Sequence, residues 1–381
     1  MKSGHIRLIS TLVAILFALP FSFNWATGFY NWLSPFILLN SFFLLKSLVI
    51  LNILGFVVLG FSFVKNRWFC RYLCPVGLGC DMVSKISPIK SSYMKKVPAL
   101  ARWIYIISLL AALLEIPVFI VLDPMAIFNG FFSVFAEPFS WIVLISMLGL
   151  PFLLLLHLIF PNFWCTKICP LGGLMDDIYL LRRIISRKTD SINYNSLKTS
   201  RRLFLAGGAG IAAGIVIPKF LHGNQIKKLK PPASLHEPLF STVCIRCGSC
   251  IKACPGKILI HDTSGWMTWM TPELTFETGG YCHEDCNLCG TVCPSGSISP
   301  FSIEAKKKLY IATIEIESEK CLLTRQKECD RCKAVCKYNA IEIRSLENSI
   351  IMAPEVNLSK CVGCGACSLI CPAECIQMVP V

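Results

Sequence analysis

Residues 361–372 read Cys361-Val-Gly-Cys364-Gly-Ala-Cys367-Ser-Leu-Ile-Cys371-Pro372. Residues 244–255 carry the same cysteines and proline at the same intervals: Cys244, Cys247, Cys250, Cys254 and Pro255. Two looser copies lie between them. One is Cys282, Cys286, Cys289 and Cys293 before Pro294; the other is Cys321, Cys329, Cys332 and Cys336 before Lys337. Three thiolates at such short intervals wrap one loop around one inorganic core, and a fourth before proline starts away from it. Sixteen thiolates in four quartets therefore predict four [4Fe–4S] clusters, a path for single electrons.

The chain has 22 cysteines among 381 residues. A disulfide scaffold has irregular spacing, and zinc needs no third cysteine at the same interval as the first two. A net charge of +14 would suit a nucleic-acid partner. The Lys and Arg residues instead crowd the ends of apolar segments, as topology signals do. No stacking platform or basic recognition helix accompanies them, so no nucleic-acid partner is expected.

In bacterial two-cluster ferredoxins the fourth cysteine of each run binds the other run's cluster. Pairing the first quartet with the second, and the third with the fourth, gives four ligand sets. They are Cys244, Cys247, Cys250 and Cys293; Cys282, Cys286, Cys289 and Cys254; Cys321, Cys329, Cys332 and Cys371; and Cys361, Cys364, Cys367 and Cys336. Cys375 is surplus and reads as a packed thiol. Short alternating runs beside the quartets predict strands. So little apolar material surrounds them that the clusters should act as staples.

The rest of the chain is of another kind. Hydrophobic residues make up 54% of the sequence, with a mean hydropathy of +0.60, and the long apolar runs fall in residues 1–220. Spans are expected near 7–27, 43–64, 100–122 and 139–161, with an outer-surface amphipathic segment at 34–46. Lys and Arg are dense at 65–102 and 167–188 and absent from 28–35 and 123–138. That alternation puts the N-terminus and both ends of the bundle in the cytoplasm. Ser200-Arg201-Arg202 before a Gly/Ala-rich apolar run reads as a twin-arginine-like signal kept as an anchor, which would export residues 221–381.

The expected fold class is a membrane α-helical bundle of four helices plus a fifth anchor or signal helix, followed by an α+β bacterial-ferredoxin-like domain with four cysteine quartets. The boundaries read 1–190 for the bundle, 196–220 for the anchor, 221–235 for a Lys/Pro linker and 236–381 for the ferredoxin domain, itself two two-cluster units at 236–300 and 301–381.

Two further motifs fall on the cytoplasmic side, Cys70-Arg-Tyr-Leu-Cys74-Pro75 and Cys165-Thr-Lys-Ile-Cys169-Pro170, each followed by glycine. They mark an internal repeat and offer four thiolates for one more cluster or metal. Cys80 has no partner motif and reads as a packed thiol. Polar groups at membrane depth are costly and point to function, so Lys46, Glu115 and His157 are the candidates for a quinone site.

On the helix pairs and the C-x3-C-P motifs, residues 1–190 resemble the NapH family. On Ser200-Arg201-Arg202, the four quartets and the wide Cys321–Cys329 interval, residues 196–381 resemble the NapG family. The resemblance implies a quinol dehydrogenase in the bacterial inner membrane. Its substrate would be quinol in the lipid, and its partner a periplasmic reductase, as in nitrate reduction, or a small electron carrier. An accessory or regulatory protein for maturation or redox sensing of a respiratory reductase is the alternative. No haem c, flavin or molybdopterin motif accompanies the quartets.

Overall fold

A computed structural model describes residues 3–20, 24–46, 52–88, 99–114, 119–138, 140–186, 228–265, 267–345 and 350–380. Glu115, Ser200, Arg201, Arg202 and the apolar run after them lie outside the described residues. The chain divides into two compact units. One comprises residues 1–225, 236–249 and 294–297; the other comprises 226–235, 250–293 and 298–381. The division runs through the first quartet rather than ahead of residue 236.

The first unit is helical: α1 (Ser3–Ala18), α2 (Phe29–Trp32), α3 (Pro35–Leu45), α4 (Ile53–Val64), α5 (Trp68–Tyr72), α6 (Pro75–Ile86), α7 (Ala101–Leu113), α8 (Pro124–Ser133), α9 (Trp141–Met147), α10 (Gly149–Ile159) and α11 (Pro170–Ile185). Its core is apolar and aromatic, with Phe36, Phe69, Met125, Leu171 and Met175 fully buried.

Trp141–Ile159 has the length and apolarity to cross a bilayer, and Asn24–Trp32 with Pro35–Leu45 passes only as a pair bent by 93°. The other apolar helices, Gly4–Ala18, Ile53–Val64, Ala101–Leu113 and Pro124–Ala136, are shorter. The expected span at 43–64 is not one helix. Lys46 is exposed and ends α3 in the left-handed conformation, at φ 51°. The segment at 34–46 is not an amphipathic surface helix either. Phe36, Ile37, Leu38, Asn40, Ser41 and Leu44 are all buried, because α3 packs against both α4 and α7. The stretch at 123–138, expected as a loop, forms α8. Buried Asp123 caps it, accepting from the Met125 amide at 2.8 Å.

The internal repeat runs deeper than the C-x3-C-P letters. In each half a helix, α4 or α10, leads through a left-handed residue, Arg67 or Asn162, to the first cysteine. The second cysteine, Cys74 or Cys169, is the N-cap of the next helix, with proline at its first position. That is where proline's missing N–H costs nothing. Seven residues after the first cysteine stands glycine. A Cβ on Gly77 would meet the Cys70 carbonyl oxygen at 2.9 Å, and one on Gly172 the Cys165 carbonyl oxygen at 3.1 Å. The halves superpose in sequence with Ser62, Cys70, Cys74, Cys80 and Asp81 equivalent to His157, Cys165, Cys169, Met175 and Asp176. Ion pairs tie the motif-bearing end together: Arg7 to Asp81 at 2.7 Å, Arg67 to Asp176, and Arg102 to Asp177.

The second unit is built from short antiparallel pairs: β1 (Leu259–His261) with β2 (Pro272–Leu274), β3 (Thr313–Ile316) with β6 (Ile376–Val379), and β4 (Ile341–Ser345) with β5 (Met352–Val356). The β3–β6 pairing, Thr313↔Val379 to Ile316↔Ile376, brings the start of the second half of the unit to its end. Its core is largely sulfur: Cys321, Cys332, Cys367 and Cys375 are buried with Ile314, Ile341 and Ile376.

Candidate functional site

In quartets with the tight spacing the loop winds the same way. The residues flanking the second cysteine have positive φ in both: Arg246 and Gly248 around Cys247, Gly363 and Gly365 around Cys364. Such turns aim successive side chains and backbone amides inward at one centre. The third cysteine then starts or enters a short helix, Ser249–Ala253 or Ala366–Ile370, and the fourth follows at its C-terminal end. Cys336 likewise ends the helix Arg331–Val335 that carries Cys332.

Three cavities of the second unit show where the thiols converge. Cys282, Cys286 and Cys289 share one with Cys254; Cys361, Cys364 and Cys367 share the next with Cys336; Cys321, Cys329 and Cys332 share the third with Cys371 and Cys375. Each cavity thus gathers three cysteines of one quartet and the last of another. Cys375 is buried in the core beside the third set, its sulfur 3.4 Å from that of Cys371. Of the remaining set, Cys244 and Cys247 fall in the first unit and Cys250 and Cys293 in the second.

Burial disfavours the thiolate at Cys364 and Cys367. It pushes Cys364 up to about 11 and Cys367 up to about 12, so only a bound cation would draw their protons off at neutral pH. Thiol sets gathered in this way fit a [4Fe–4S] group. The Cys282 cavity has a charge partner as well. Lys306 is 1% exposed and reaches its wall, donating to the Cys286 carbonyl at 2.7 Å and to that of His283.

In the first unit the loop between Cys247 and Cys250 is clasped by buried amides and hydroxyls. Asn129 Nδ2 donates to Ser249 Oγ at 2.7 Å and lies 3.2 Å from the Cys247 carbonyl oxygen. Thr27 Oγ1 donates to the Ser249 carbonyl at 3.2 Å. Asn52 Nδ2 donates to the Pro294 carbonyl at 2.6 Å, and Ser41 Oγ to that of Ser295 at 3.0 Å. Asn52 caps the start of α4, which runs from there toward Cys70, while Ser41 lies within α3 and Asn129 within α8. Sequence reading missed them. Isolated Asn and Ser in apolar runs look like ordinary helix-facing residues, and their partners are more than 200 positions away in several cases.

The other candidates are placed unevenly. Cys74 accepts from the Gly77 amide at 3.2 Å, and Cys70 lies 3.7 Å from the Met175 sulfur. His157 is fully buried, its Nδ1 2.8 Å from the Leu153 carbonyl oxygen. Lys46 is exposed, and it and His157 belong to different helices, α3's end and α10.

Comparison with known proteins agrees on the chemistry. A family model for a 4Fe-4S dicluster domain matches residues 327–375, and one for a 4Fe-4S binding domain matches twice, at 48–93 and 139–188, one match per helical repeat. The methylamine utilization ferredoxin-type protein MauM of Methylophilus methylotrophus is 35% identical over 153 residues, 38% of this chain and 66% of the relative. The ferredoxin-type protein NapF of Escherichia coli is 33% identical over 148 residues, 39% of this chain and 82% of the relative. The ferredoxin-type protein NapG of Haemophilus influenzae is 29% identical over 202 residues, 47% of this chain and 70% of the relative. The chain spans just under two thirds of the length of two MauM relatives, 66% and 63%. No solved structure matches it.

Proposed function

Because the chain belongs to the family of ferredoxin-type proteins that includes NapF, we propose that it is a membrane-anchored electron carrier with four [4Fe–4S] clusters, taking electrons from quinol in the bilayer and passing them to a periplasmic reductase or small carrier. On this reading residues 1–190 are a NapH-type membrane part fused to a NapG-type polyferredoxin, in the inner membrane of a bacterium. Such clusters accept and release one electron at a time.

The observation that carries the reading is the clasp of Thr27, Asn31, Asn129 and Asn52 on the Cys247–Ser249 and Pro294 segments. It holds the Cys247–Ser249 and Pro294 segments against Thr27, α2, α8 and the start of α4, and α4 runs from there toward the Lys- and Arg-rich loops. With those loops in the cytoplasm, the start of α4 is the outer end. The membrane assignment is supported by helix faces that leave Leu12, Leu16, Phe61, Ile145, Phe152 and Leu155 exposed, a surface suited to lipid. The chain's own contribution is to hold thiolates at fixed intervals and to position the segment of Cys244 and Cys247 against the helices of its own unit.

The test is anaerobic reconstitution in liposomes loaded with a short-chain quinol, followed by cluster absorbance. Bleaching on quinol addition supports the proposal. Clusters that bleach with dithionite but stay oxidised with quinol would favour the accessory role instead.

A further inference from the structure

We propose that Cys80, His157 and Cys165 form a mononuclear site for one thiophilic d10 ion, Zn(II) or Cu(I). One donor atom from each lies within 4.8 Å of the others, and the described residues hold no other such group of three His, Cys, Asp or Glu. Cys80 and His157 are fully buried and Cys165 half-buried.

The imidazole is set up as a ligand. Its Nδ1 lies 2.8 Å from the Leu153 carbonyl oxygen, which can only accept, so Nδ1 carries the proton. Nε2 keeps its lone pair, is buried without a hydrogen-bond partner, and faces the Cys165 sulfur. An orphaned buried acceptor costs about 1–3 kcal/mol, which a cation would offset. A histidine whose second nitrogen donates to a backbone carbonyl is the usual arrangement at a metal.

The internal repeat supplies a control. In the other half the equivalent positions are Met175, Ser62 and Cys70. Cys70 faces Met175 at 3.7 Å just as Cys165 faces Cys80, and Ser62 bonds the Val58 carbonyl at 2.8 Å just as His157 bonds that of Leu153. The scaffold is duplicated, yet only one copy carries a thiol–imidazole–thiol set. The backbone differs there too. Cys70 sits in an α-helical turn, whereas Cys165 sits in the π-helical turn Trp164–Ile168, a distortion that often marks functional sites.

Soft thiolates with imidazole select Zn(II) or Cu(I) over harder ions. Donors around one such ion stand about 3.5–4 Å apart, so the trio needs to close by about 1 Å. Two thiolates on Zn(II) leave a neutral buried site, and three donors without water satisfy Cu(I); the donor set admits both. Filling the site assigns Cys165 to this ion and not to a cluster shared with Cys70, Cys74 and Cys169.

The test uses the full chain, purified anaerobically in detergent. It is loaded in separate arms with Zn(II) and with Cu(I), passed over a weak chelator, and analysed for metal and iron. One arm should retain about one ion per chain. Its K-edge spectrum should show sulfur and nitrogen in two-to-one ratio. Cys80→Ser and His157→Gln should lose that ion with iron unchanged, while Met175→Leu keeps it. Retention of neither metal by the unaltered protein overturns the proposal, as does full retention by Cys80→Ser. Loss of iron in Cys165→Ser matching that in Cys70→Ser, with no bound Zn or Cu to lose, assigns Cys165 to a cluster and overturns it as well. Should the variants fail to assemble, the edge spectrum of the unaltered protein decides alone.

Discussion

Cys254 closes the first quartet in sequence, yet it shares a cavity with Cys289 of the second. A cysteine that serves its neighbour's cavity links two loops that neither could hold alone. Cys254→Ser should therefore disturb the cluster held with Cys282, Cys286 and Cys289, and not the one named by the letters around it. The expected result is loss of about a quarter of the iron, or one cluster's conversion to a three-iron form, followed by EPR. An intact signal with all the iron retained would contradict the crossed pairing.

Lys306 brings a buried positive charge to the wall of the same cavity. A cation favours the reduced, more negative cluster. Lys306→Met should lower that cluster's reduction potential on the order of 50 mV and leave the other potentials in place, as read by a redox titration.

Gly363 turns at φ +72°, and a Cβ there would stand 2.1 Å from the Ala312 carbonyl oxygen. Backbone cannot yield as a flexible side chain can. Gly363→Ala should cost more than about 2 kcal/mol and empty the cavity of Cys361, Cys364, Cys367 and Cys336. Iron content and the thermal midpoint measure it.

Removing iron should act on the two units differently. The second unit packs its cysteines among few isoleucines, so chelation should make residues 250–293 and 298–380 protease-sensitive. The first unit has a core of its own around Phe36, Phe69 and Met125, and its helical circular dichroism should persist.

Much of the site was legible in the letters, because a cluster dictates intervals along the chain and intervals are what a sequence displays. The tight quartets even share the positive-φ residues flanking Cys247 and Cys364. The helical half was harder to read. Residues 36–64 are nearly all apolar, and a long apolar run does not say where it bends; Lys46 in the left-handed conformation does. Asn129 and Ser249 meet across 120 residues, a pairing no local pattern announces. Cys80 looked solitary because its partners, His157 and Cys165, come from the other repeat.

The most direct test of the account is iron and acid-labile sulfide analysis with Mössbauer spectroscopy on the full chain, purified anaerobically. Four cubane clusters predict about sixteen of each per chain and a spectrum dominated by delocalised four-iron centres. Zinc in place of iron, or cysteines joined in disulfides, would contradict it.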